Sequence, residues 1–76
     1  MNAKRRESLR FAADMIEKAK DIVDRAMAEE DEALGNLPEN LEFSEQCSRM
    51  ETAVDSLDSA SDSLDNALEW IGDAIQ

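Results

Sequence analysis

The chain has no histidine, one cysteine, one proline and two glycines among its 76 residues. Without imidazole there is no histidine general base, no His-containing triad and none of the usual histidine metal sites. Cys47 stands alone, which rules out an internal disulfide and a CxxC centre. Gly35 and Gly72 lie far apart and in no phosphate-cradling pattern, so P-loop and dinucleotide-fold chemistry are excluded. No run of ~20 apolar residues is present to span a bilayer. The start, Met1-Asn2-Ala3-Lys4-Arg5-Arg6-Glu7, is charged and leads into no apolar h-region. These absences predict a soluble, cytoplasmic protein without cofactor or metal.

Large apolar side chains are scarce too. Of the hydrophobic residues 11 are Ala, and Leu, Ile, Val and Phe together number 15, a fifth of the chain. That proportion lies at the border where a chain no longer buries enough surface to offset its ordering entropy. One small domain is expected, and a lone monomer is expected to be marginal.

What the chain does have is helical periodicity. From Asn2 to Leu34 no Pro or Gly interrupts a stretch rich in Ala, Glu, Lys, Arg, Met and Leu, which predicts one long helix over about 2–34. Gly35 is the expected C-terminal cap residue. A turn follows over about 35–43, in which Asn36 is a candidate cap for a short helical segment containing Pro38 and Glu39. Ser44 is the next cap candidate and opens a second helix over about 44–75. The predicted fold is all-α, a long antiparallel two-helix hairpin dimerising into a four-helix bundle.

The dimer expectation comes from the first helix. Ala12, Ala19 and Ala26 form a central line between two ridges, Leu9, Ile16, Val23, Met27 and Leu34 on one side, Phe11, Met15 and Ile22 on the other. One partner helix along the alanine groove buries one ridge well and leaves much of the other wet. Two neighbours bury both, so Phe11, Met15 and Ile22 are the predicted self-association residues. A plain hairpin with these three partly exposed is the alternative.

The second helix carries a seven-residue repeat beginning at Ala53, Ala60 and Ala67. Its seam is Cys47, Met50, Val54, Leu57, Ser61, Leu64, Leu68, Ile71 and Ile75, a 3-4 spacing of the coiled-coil kind. Ser61 is the only hydroxyl on it and is read as a helix-internal bond to the preceding turn, ahead of a register-setting role. Cys47 is read as a small buried apolar residue, since nothing nearby would lower its pKa.

Charge is distributed unevenly. Residues 1–34 hold seven basic and nine acidic side chains, whereas residues 35–76 hold Arg49 and ten acids, within a formal net charge of -11. Glu51, Asp55, Asp58, Asp62, Asp65, Glu69 and Asp73 fall in one narrow arc beside the seam. Like charges three or four apart cost ~0.2–0.5 kcal/mol a pair, so helix stability does not favour such a band. Three explanations compete. Lys4, Arg5, Arg6 and Arg10 could neutralise Asp65, Glu69 and Asp73 across the hairpin, also relieving unfavourable helix dipoles. The band could serve solubility alone. Or it could face a basic target, because its carboxylates recur every ~5 Å, the same order as charges along a nucleic-acid strand.

Other chemistry fits poorly. Asp55, Asp58, Asp62 and Asp65 lack the alternating loop that wraps calcium, and on a helix they splay. Paired-carboxylate catalysis needs two acids facing across a water-poor pocket, for which a short hairpin has little room. Lys4-Arg5-Arg6 suggests nucleic-acid binding, but at net -11 the whole molecule is repelled from phosphate at long range, and pairing within the hairpin is the expected role. Trp70, off the seam and about 100° from the acidic band, is a candidate anchor for a partner, or else a residue folded over the bundle end.

The pattern Asn36-Leu37-Pro38-Glu39-Asn40-Leu41, Ser44-Glu45 and Met50-Glu51, after Lys4-Arg5-Arg6 and before the Asp-rich heptads, resembles short uncharacterised helical-hairpin proteins of gut Firmicutes and their phages. It covers nearly the whole chain. The resemblance implies a helical fold and a phage or prophage setting, and it carries over no functional residue. In general style the chain is similar to phage inhibitors of host defence, including anti-CRISPR proteins that occupy nucleic-acid channels. The functional expectation is a non-catalytic homodimer that binds a basic host protein and neither nucleic acid nor membrane, its acidic band blocking a nucleic-acid-binding surface. The alternative is a structural coiled-coil module whose acids only keep it dissolved.

Overall fold

The computed structural model describes all residues, Met1–Gln76. Helix α1 spans Ala3–Gly35, a single 3-10 turn covers Glu39–Leu41, and helix α2 spans Glu45–Ala74. The two long helices pack antiparallel into a hairpin measuring 59 × 14 × 13 Å. The all-helical hairpin expected from the sequence is thus the fold.

Local chemistry sets where each helix begins. Asn2 is extended, and its side-chain oxygen accepts the Arg5 N–H at 2.8 Å, satisfying one of the orphan donors of α1. Ser44 does the same for α2, accepting the Cys47 N–H at 3.1 Å. Its hydroxyl also donates to the Leu41 carbonyl at 2.7 Å, which ties the cap to the 3-10 turn.

The turn differs from expectation in two respects. Gly35 is the last helical residue of α1 and has no positive φ; the cap is Asn36, whose N–H reaches the carbonyls of Glu32 and Ala33. The helix closes by a tightened last turn, so no left-handed residue is needed. Asn36 caps no second segment either. Pro38, fixed near φ -57, precedes a 3-10 turn that starts only at Glu39.

Packing follows the second helix closely and the first one less so. All nine seam positions of α2 are buried or half-buried, with Cys47 and Ser61 the most enclosed at 6% exposure each. On α1 the neighbour does not lie along the alanine groove. It sits on the ridge Leu9, Ile16, Val23, Met27 and Leu34, all half-buried, while Ala19 and Ala26 stay exposed. Larger side chains remove more apolar surface from water per contact, so a single partner helix maximises burial by riding the ridge. Phe11, Met15 and Ile22 remain 66%, 56% and 62% exposed.

Candidate functional site

The hairpin has two broad faces, and their composition follows from geometry. Each residue turns about 100° around its helix, and the packed stripes define which way each helix faces. In an antiparallel right-handed pair, the alanine line of α1 and the Ala53-Ala60-Ala67 line of α2 then flank the seam on the same side. Ser8, Met15, Ile22, Ser56, Ser63 and Trp70 extend that side, and between Ser8 and Ala28 on α1 and between Thr52 and Ala74 on α2 it carries no charged residue. On the opposite side lie Glu51, Asp55, Asp58, Asp62, Asp65, Glu69 and Asp73, every one exposed.

A polar cluster marks the acidic side of the seam. Lys20 donates to Asp24 at 2.8 Å and lies 3.7 Å from Asp65. The Ser61 hydroxyl donates to Asp24 across the hairpin at 2.6 Å. Ser61 is therefore a cross-helix link, contrary to the helix-internal bond read from the sequence. A hydroxyl enclosed on the seam has a carboxylate directly opposite, and an interhelical bond satisfies both groups. The bonds from Lys20 and Ser61 hold the Asp24 carboxyl below its usual range, and the bond to Asp24 raises the Lys20 ammonium above its own.

The expected neutralisation of the acidic end is not what the hairpin makes. Lys4, Arg5, Arg6 and Arg10 form no ion pair with Asp65, Glu69 or Asp73; Asp65 is paired by Lys20, and the remaining ion pair is Arg49–Glu45 on α2 itself. Arg6 instead donates through Nε to the Ile75 carbonyl at 3.2 Å. A cation on the last carbonyls of α2 satisfies an orphan acceptor and the helix dipole together, which a carboxylate one turn earlier does not offer. Six of the seven band carboxylates thus face solvent without a cation.

Cys47, in the first turn of α2, is buried beside Leu34 at the end of α1 and Leu37 of the turn, and burial pushes its thiol upward, with Glu51 accepting its S–H at 3.4 Å. That is the inert environment expected for it. The surface depressions beside it, lined by Leu34, Leu37, Glu42 and Cys47, are open. No group of three or more Cys, Asp or Glu is placed to hold a metal ion, and no helix is long and apolar enough to cross a membrane.

Sequence reasoning missed three residues. At 100° per residue Lys20 and Asp24 flank the Leu9 ridge on its acidic side, which was the available signal that they would reach the edge of the seam. Phe43 is 95% exposed in the turn, between the 3-10 segment and the Ser44 cap. Neither helical period reaches it, so no pattern marked it as outside. Trp70, at 73% exposure, does not fold over the end of the hairpin.

Comparison with protein-family models, with curated proteins and with solved structures finds no match.

Proposed function

We propose that the chain is a non-catalytic binding module, a cytoplasmic homodimer whose acidic faces dock on a basic, nucleic-acid-binding surface of another protein. The observation that supports this reading is the exposed row of carboxylates on α2, of which Asp65 alone has a cation within reach. Leaving such a row unneutralised costs helix stability, and a basic groove would repay that cost on binding. The general similarity in style to phage inhibitors of host defence supports taking a host defence protein that handles nucleic acid as the target, with the chain as its inhibitor.

The test begins with retrieval of the target from host lysate. Its affinity is then measured for the wild type and for the variant with Asp55, Asp58, Asp62 and Asp65 changed to Asn. The variant should lose binding, the wild-type affinity should fall between about 50 and 200 mM salt, and nucleic acid should compete. Equal affinity for both proteins would reduce the acidic face to solubility surface. The structural-module reading would then take over, supported by the charge-free face on the other side.

A further inference from the structure

We propose that the charge-free face is the interface of an isologous dimer in which two hairpins lie face to face with their turns at opposite ends, α1 against α1 and α2 against α2. This rests on the homodimer reading above and specifies its surface and arrangement.

The area at stake fits a second copy. The chain exposes 5749 Å², about 1,100 Å² more than the surface of a typical folded monomer of this mass. A stable dimer buries about 800 Å² per partner. The hairpin therefore has surplus surface on the scale one partner would cover. Its relief suits close packing: Ala19, Ala26, Ala60 and Ser63 let helix backbones approach, and Met15 and Ile22 stand beside them as side chains to fill the flanks. Self-pairing places the same patch on both sides of a two-fold axis.

Charge selects the occupant and the orientation. At net -11 two copies repel, and any contact through α2's acidic side would set carboxylates against carboxylates. The charge-free face is where two copies meet without that penalty. A two-fold axis parallel to the helices would stack both turns at one end, crowding Glu29, Glu30, Glu39 and Glu42 against their own copies. An axis perpendicular to the helices instead brings Lys4 and Arg5 of one chain toward Glu29 and Glu30 of the partner subunit. Opposite ends is the arrangement that pairs unlike charges.

Two measurements test this separately. Sedimentation equilibrium of the wild type at micromolar concentration should give twice the 8.5 kDa chain mass. A nitroxide at Glu39→Cys in a Cys47→Ala background should report, by pulsed dipolar spectroscopy, a pair separation comparable to the 59 Å length of the hairpin. Ser63→Glu, a change at a position exposed in the single hairpin, should weaken the dimer more than about tenfold while leaving the chain helical. A wild-type monomer overturns both the homodimer and this arrangement. A dimer with label separation below half the hairpin length, or one indifferent to Ser63→Glu, overturns the arrangement and leaves the homodimer standing.

Discussion

The two broad faces of this hairpin come from the same pair of helices and share the same seam, yet one has almost no charge and the other is crowded with it. On the charge-free side Phe11, Met15, Ile22 and Trp70 stand in water with little to cover them. On the acidic side the side chains are well solvated, and the cost is mutual repulsion along α2. Each face is therefore unsatisfied in a different currency, apolar area on one and electrostatic energy on the other. A single hairpin relieves neither fully. Only the seam between them, with Ser61, Asp24 and Lys20 at its acidic edge, is internally complete.

The largest expected effect belongs to the charge-free face. Changing Phe11 and Ile22 together to Ser should weaken self-association by at least about tenfold, or ~1.4 kcal/mol, as read by sedimentation equilibrium. The matching change on the other face, Asp58→Ser, should leave the association constant alone. If both variants dimerise like the wild type, the two faces do not divide their roles as described.

Next comes the electrostatic strain of the acidic face. With Asp55, Asp58, Asp62 and Asp65 changed to Asn, like-charge pairs worth ~0.2–0.5 kcal/mol each disappear, at the expense of the Lys20–Asp65 contact. The thermal midpoint at low salt should rise, and the gain should shrink at 1 M salt, where the Debye length is ~3 Å. A midpoint that falls would mean that the carboxylates stabilise the isolated chain.

The seam cluster should give an effect of similar or smaller size. Ser61→Ala removes one bond to a carboxylate that keeps Lys20, at a cost of about 1 kcal/mol by urea unfolding. The pH dependence has a definite sign. The Asp24 carboxyl sits lower in the folded chain than in the unfolded one, so its stabilisation is present above the ordinary aspartate pKa of ~3.9 and is lost as pH falls through the lower folded value. The stability difference between wild type and Asp24→Asn should shrink across that acid window. A constant difference would show that the Asp24 bonds contribute nothing through its ionisation.

The smallest effect is expected at the basic start. Changing Lys4, Arg5, Arg6 and Arg10 to Gln removes no ion pair to Asp65, Glu69 or Asp73, and only Arg6 loses a bond, at the C-terminal end of α2. In a chain kept monomeric by Phe11→Ser with Ile22→Ser, the thermal midpoint should therefore move little at low salt. A large drop in that monomer would mean that the basic start makes a charge contact within the hairpin after all.

Much of this was legible in the chain. The Ser44 cap and the seam from Cys47 to Ile75 follow directly from a hydroxyl residue ahead of a strict 3-4 spacing. The acidic band is equally a matter of spacing, since residues three and four apart share a face wherever the helix docks. Position around α1 was less informative, because its apolar arc is wider than one neighbour can cover. Sequence periodicity gives the arc and not the line of contact within it.

The sequence by itself determined that there are two helices, that Ser44 caps the second, which residues of α2 face inward and which acids stand together, because all of these depend on contacts within a few residues. Tertiary structure alone decided that α2 rides the Leu9–Leu34 ridge rather than the alanine groove, that Ser61 bonds Asp24 across the seam, and that Arg6 caps Ile75 in place of a salt bridge. Those choices depend on the relative rotation and offset of two helices distant in sequence. That rotation and offset come from competition among many weak contacts, which no local pattern encodes.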